Sequence, residues 1–163
     1  MMIKSKIEKA LNKQINVELN AFYSYLSMSV YFESSHMPGF AQWFKIQSNE
    51  EFKHAVRFKD YMIARGGQIH LMAVETPKTE WKSPLAVFED AYAQELKVST
   101  LINDLVDLAK HENDHATEIM LQWFVTEQVE EENTASNNIE KLKFVKNNTE
   151  GVVELDHELG QRK

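Results

Sequence analysis

Residues 111–115 read HENDH. Taken literally they match H-E-x-x-H, in which two histidines on one helix face hold zinc and the glutamate between them acts as general base. That reading needs an unbroken helix, so whether the chain turns here decides both the fold and the place of any metal. Apolar residues recur at helical spacing before and after the stretch, but Asn113-Asp114 is a pair that favours turns and caps. HENDH is therefore read as a corner. His111 closes one helix, His115 opens the next, and the two imidazoles do not share a face.

Outward from this corner the periodicity predicts helices over 5–35, 38–65, 84–112, 115–146 and 152–160. Pro38 and Pro84 suit first helical positions, Ser83 is a cap, and Gly66-Gly67 ends the second helix. The link QIHLMAVETPKTEWKS, residues 68–83, is long, whereas the first and second helices, like the third and fourth, are joined by tight corners. Tight corners make antiparallel hairpins, and one long link can run the length of a bundle. The expected fold is all-α: a single domain, 1–163, with two hairpins packed as a four-helix bundle, one long crossover and a short C-terminal fifth helix, VVELDHELG.

Bulk composition narrows the function. Eighteen basic against 25 acidic side chains leave a net charge of −7, which argues against nucleic-acid and anionic-membrane partners and favours cations. The absence of cysteine excludes disulfides, thiolate zinc sites, iron–sulfur clusters and cysteine nucleophiles. The opening MMIKSKIEKALNKQ has no apolar stretch that could serve as a signal-peptide core, and no later run approaches a membrane span, so a soluble, cytoplasmic protein is expected.

The inward stripes of the four long helices, followed at steps of three and four, carry residues that do not belong in a core. In the first helix the stripe reads Leu11, Ile15, Glu18, Phe22, Tyr25; in the second, Phe40, Phe44, Gln47, Glu51, His54, Phe58, Tyr61. In the third it reads Phe88, Tyr92, Glu95, Val98, Ile102, Leu105; in the fourth, Leu121, Phe124, Gln128, Glu131, Ala135, Leu142. One glutamate on an apolar stripe marks an edge position that reaches water. Four at matching levels are different. Glu95 precedes Glu112 by as many residues as Glu131 follows His115, within a turn, so a tight hairpin sets them opposite each other. Gathered in a core, such carboxylates would cost several kcal/mol each in desolvation and repel one another, so a cation is expected among them.

Oxygen-rich ligation with an imidazole and no sulfur suits iron, manganese or zinc, and so many donors exceed what one tetrahedral zinc takes. Two ions bridged by carboxylates fit better. Di-iron carboxylate bundles use one Glu from each of two helices and Glu-x-x-His from each of the other two. Glu18 and Glu95 are the singles, Glu51-x-x-His54 is the first pair, and Gln128-x-x-Glu131 stands where the second belongs. A shift of 77 carries Glu18 onto Glu95, Glu51 onto Gln128 and His54 onto Glu131, so the hairpins read as pseudo-symmetric halves. The repeated QWF at 42–44 and 122–124 suggests a shift of 80 instead, but that pairs His54 with Thr134 and reads as a core coincidence.

On these residues the chain resembles the nonhaem bacterial ferritins over essentially its whole length. The likeness is carried by VELNAFYSYL around Glu18, QSNEEFKHA around Glu51, AQEL at Glu95, LQWFVTEQVEEE in the fourth helix, and the short terminal helix. The resemblance implies a ferroxidase centre of Glu18, Glu51, His54, Glu95, Gln128 and Glu131, with Glu51 bridging. It implies a third iron site from Glu50, Glu127 and Glu130, sharing Glu131. In the sister family of bacterioferritins the residue after the second-helix glutamate is a haem-binding methionine; here it is Phe52, which has no lone pair to give iron, so no haem is expected. Bacterioferritins also carry a histidine where Glu131 stands and a glutamate where Gln128 stands. A neutral amide donates weakly, which implies a second ion held less tightly and able to move on to storage.

The function so implied is iron storage by a ferroxidase, with Fe²⁺ and dioxygen or hydrogen peroxide as substrates and a ferric mineral kept in a hollow shell of twenty-four copies, whose terminal helices meet at the fourfold axes. Tyr25, on the stripe of Glu18, is a candidate electron donor and Trp123 a weaker one; both also read as core aromatics. The alternative, a rubrerythrin-like di-iron peroxidase or oxygenase without storage, would use the same ligands but needs a substrate pocket or electron-donor domain. The resemblance also gives HENDH a setting, since in ferritins this corner surrounds the threefold pores, with Glu118 at the expected acidic position and an apolar Leu121 next inward. An inert surface turn is the competing reading.

Overall fold

The computed structural model describes residues 2–163. Among the described residues there are five helices and no strand: α1 (Ser5–Ser34), α2 (Pro38–Ala64), α3 (Pro84–His111), α4 (His115–Val145) and α5 (Thr149–Leu159). α1 packs on α2 and α3 on α4 as two hairpins, α1 meets α3, and α5 lies on α2 and α4. The all-α bundle with a long crossover and a fifth helix is thus the one the periodicity predicts. Residues 35, 65, 112 and 146, where the sequence ends the first four helices, are their C-caps. α5 opens at Thr149, ahead of its expected start at 152, because Asn148 caps it by accepting the Gly151 N–H at 3.2 Å.

HENDH turns. Asn113 adopts φ of 53°, and Asp114 caps α4 by accepting the Thr117 N–H at 3.2 Å. The glutamate of the stretch, Glu112, faces away to the N-terminal segment, where Lys6 Nζ donates to it at 2.8 Å and holds its carboxyl below the usual range. The corner is clamped from the end of α2: Arg65 donates to both oxygens of Asp114 at 3.0 Å, and the Tyr61 and Thr117 hydroxyls lie 2.8 Å apart. The protease arrangement is ruled out by this geometry. Glu118 is half-buried beside His115, 3.3 Å away, while Leu121 is fully buried in the bundle core and so belongs to packing rather than to the corner's surface.

The crossover after Gly66 has no helix or strand of its own, so its backbone needs partners from elsewhere. α1 supplies them. Asn12 donates to Gln68 O (2.9 Å) and accepts from His70 N (2.7 Å), Asn16 donates to Ala73 O (3.0 Å), and Asn20 accepts from Glu75 N (2.8 Å). Ser27 and Tyr31 continue the row to Lys78 O and Trp81 O. The strap is thereby tied along α1 through six of its peptide groups.

Inside, the apolar residues form two clusters instead of one. The first gathers Leu11, Ile15, Phe58, Met62, Ile102, Leu121 and Phe124; the second gathers Tyr25, Phe32, Phe40, Phe44, Phe88 and Leu142, with Leu155 and Leu159 from α5. On every long helix the residues between the two clusters are those singled out above as out of place in a core.

Candidate metal centre

That intervening layer is buried throughout. Glu18, Glu51, His54, Glu95, Gln128 and Glu131 expose between 0% and 8% of their surface. Each is delivered by the same rule: a helix that turns its apolar stripe inward at steps of three and four must also turn inward whatever residue occupies the middle of that stripe. Glu18, Glu51 and His54 come closest together, each offering a ligand atom within 4.8 Å of the others. His54 Nδ1 lies 3.3 Å from Glu51 Oε2 and 4.0 Å from Glu18 Oε2, with its ring edge-on to Trp123 and Phe124.

Of the other predicted ligands, Glu131 joins this group through Gln47, while Glu95 and Gln128 pair with each other beside it. Gln47 Nε2 donates to Glu131 Oε2 at 2.8 Å and to Glu51 Oε1 at 3.2 Å. Gln128 Nε2 donates to Glu95 Oε2, the Glu95 carbonyl oxygen and Ser99 Oγ, each at 3.2 Å. The Tyr25 hydroxyl donates to Glu95 Oε1, and Gln14 Nε2 donates to Glu18 Oε1 at 2.6 Å. Amides and a phenol thus hold Glu95 and Glu131, whereas Glu18 and Glu51 bring carboxylate oxygens within 4.8 Å of each other directly. Glu95 and Glu131 lie outside the tight Glu18–Glu51–His54 group, though predicted at the same centre. Among the described residues no second group of three His, Asp or Glu side chains closes within 4.8 Å, so Glu50, Glu127 and Glu130 do not form one. Glu50 and Glu127 line a recess of about 490 Å³ beside His54, and Glu130 is exposed.

Burial dominates the electrostatics. It pushes Glu18 up to about 8, with the Glu51 charge adding to the rise and Gln14 opposing it. Burial and the Glu95 charge push Glu131 up to about 7, and burial raises Glu51 and Glu95 as well. Tyr25 is driven well above the usual phenol range by burial and by Glu95, so it stands as a protonated donor. One atom has been left over: Glu18 Oε2 is buried without a hydrogen-bond partner. A buried carboxylate oxygen aimed at a second carboxylate and an imidazole is costly unless a cation takes it. The donor set fits a hard or borderline divalent ion.

Sequence reading missed Gln14 and the role of Gln47, although both sit one turn before a cluster glutamate on the same face, at i−4 of Glu18 and Glu51 respectively. It gave Ser99 and Arg162 no role.

A family model for the ferritin-like domain matches residues 8–145. The chain is 44% identical over 161 residues to a bacterial non-heme ferritin of Bacteroides fragilis (strain 638R), covering 99% of this chain and 100% of that one. A bacterial non-heme ferritin of Staphylococcus aureus (strain USA300) is 33% identical, with 99% and 97% covered. Among solved structures, an open pore ferritin from the hyperthermophilic archaeon Archaeoglobus fulgidus superposes with a TM-score of 0.98 at 44% identity, all of both chains being covered. In sequence and in fold alike, over its whole length, this chain belongs to the ferritin family.

Proposed function

We propose that the chain stores iron and that the buried layer is its ferroxidase centre, oxidising Fe²⁺ with dioxygen or hydrogen peroxide and passing Fe³⁺ to a ferric mineral. The observation that carries this is the set of four carboxylates buried across one level of the bundle, their proton affinities raised by burial, with Glu18 Oε2 unsatisfied. Fe²⁺ is the substrate. Glu18, Glu51 and His54 would hold one ion, and Glu95, Gln128 and Glu131 a second, with Glu51 between them; carboxylate oxygens favour the more highly charged Fe³⁺, so one electron leaves each iron for the oxidant. Phe52 offers iron no donor atom, so the reading includes no haem. A mineral needs an enclosed volume that one bundle lacks, so the reading includes a closed shell of copies, twenty-four as in the family that the sequence resembles, in the cytoplasm. No described helix is long and apolar enough to cross a membrane.

The test is aerobic Fe²⁺ loading of the purified protein, with retained iron counted per particle after gel filtration. Storage predicts far more iron than the centres hold; about two per chain and no more would point to an enzyme without a store.

Tyr25→Phe removes the donor to Glu95 Oε1 and leaves the packing. Initial Fe²⁺ oxidation should slow by about tenfold, as for loss of a hydrogen bond that orients a ligand. A stopped-flow rate within twofold of wild type would make Tyr25 a packing residue only.

A further inference from the structure

Arg162 lies beyond α5, 112 positions from Glu50 and 115 from Gln47, yet its guanidinium meets both. Nη1 donates to Gln47 Oε1 at 2.9 Å, Nη2 donates to the Glu50 carboxylate, and Cζ sits 4.8 Å over the ring of the buried Trp43. The docking of α5 holds it there. Asp156 accepts the Gly39 N–H at 3.1 Å and the Phe40 N–H at 2.7 Å, capping the free donors at the start of α2. A Cβ at Gly39 would fall 1.7 Å from the Asp156 carbonyl oxygen, so only glycine permits this approach. Leu155 and Leu159 are buried behind it.

Gln47 carries the constraint inward. It is 1% exposed, and because its Oε1 accepts from Arg162, its Nε2 must face the cluster, where it donates to Glu131 and Glu51. The reverse orientation would set a carbonyl oxygen against two carboxylates and an amide against a guanidinium that can only donate. On its other side Arg162 occupies Glu50, at the recess shared with His54 and Glu127.

We propose that Arg162 is a latch on the outer edge of the carboxylate cluster: docked, it orients Gln47 toward Glu51 and Glu131 and occupies Glu50 as a tethered counter-cation, so that a metal ion must compete with it for the Glu50 carboxylate. The inference rests on reading the cluster as a cation centre, and it makes Arg162 a positioning residue that touches no metal itself. Arginine suits the task because its fork serves an amide oxygen and a carboxylate together, which the point charge of a lysine cannot do.

Calorimetric titration of the metal-free, assembled protein with Zn²⁺ separates the parts. Wild type should show tight binding at the cluster and a weaker outer step at Glu50. Arg162→Ala should tighten the outer step by about fivefold, the effect of releasing one partly exposed ion pair. Arg162→Lys should tighten it less, and Glu50→Gln should abolish it with or without Arg162. Hydrogen exchange should show residues past α5 loosening on Zn²⁺ addition in wild type and not in Glu50→Gln. An outer step of equal affinity in wild type and Arg162→Ala overturns the latch, as does a lysine variant that binds as tightly as the alanine one. Absence of the tight step in wild type would instead refute the metal-centre reading, so the two failures are distinct.

Discussion

The double variant Glu51→Ala/His54→Ala should lose the initial phase of Fe²⁺ oxidation, by on the order of 100-fold or more, while keeping its helical content and assembled size. Glu51 is the residue that the cluster shares: it lies against His54 Nδ1, accepts from Gln47, and feels the charges of Glu95 and Glu131. Removing it with His54 takes away two of the three donors that close within 4.8 Å. A hundredfold loss corresponds to about 3 kcal/mol of lost stabilisation, modest for two ligands to one ion. Stopped-flow absorbance of ferric product at low iron-to-protein ratio reads it directly. An unchanged rate in a correctly assembled variant would mean that oxidation happens elsewhere, on the mineral or at the surface, and the centre proposed here would be wrong.

Glu18→Gln should stabilise the metal-free protein and destroy its response to metal. In the folded state Glu18 titrates at about 8 against an ordinary value of 4.5, so the folded protein retains a proton that the unfolded chain gives up. Stability tied to that proton is complete below pH 4.5 and is lost as pH rises through about 8. Glu131, raised to about 7, acts in the same direction over a narrower window. The thermal midpoint of the chelated wild type should therefore fall from pH 5 towards pH 8, by an amount worth a few kcal/mol, and the glutamine variant should fall less and melt higher at pH 8. Saturating Zn²⁺ should raise the wild-type midpoint most at high pH, where the carboxylates are free of protons, and should leave the variant nearly unmoved. A chelated wild type whose midpoint is flat or rising over that range would sink the claim. Those two results together would describe a layer that costs the fold stability in order to bind cations, as expected of polar groups kept in a core for function.

Much of this was legible along the chain because helical periodicity is local. A residue at i+3 or i+4 from a core leucine is carried to the same face whatever the helix later packs against, so Glu18, Glu51, His54, Glu95, Gln128 and Glu131 could be recognised as inward-facing before any helix was placed. The corner at Asn113-Asp114 and the cap at Ser83 were likewise matters of a few neighbouring residues. Asn12, Asn16 and Asn20 went unread, because their partners are peptide groups of a crossover that could have run over any face of the bundle.

The helices, their inward faces and the level at which acid crosses the core follow from spacing within one helix and from the lengths of the links. Which cluster members touch is a matter of how the helices dock. Gln47 reaching from α2 to Glu131 on α4, Tyr25 on α1 donating to Glu95 on α3, and Arg162 returning from beyond α5 to Glu50 all depend on how far apart and at what height separate helices dock. Those distances are set by the packing of Phe32, Phe44 and Phe88 on one side of the layer and Phe58 and Phe124 on the other, a many-body fit that no spacing along the chain records.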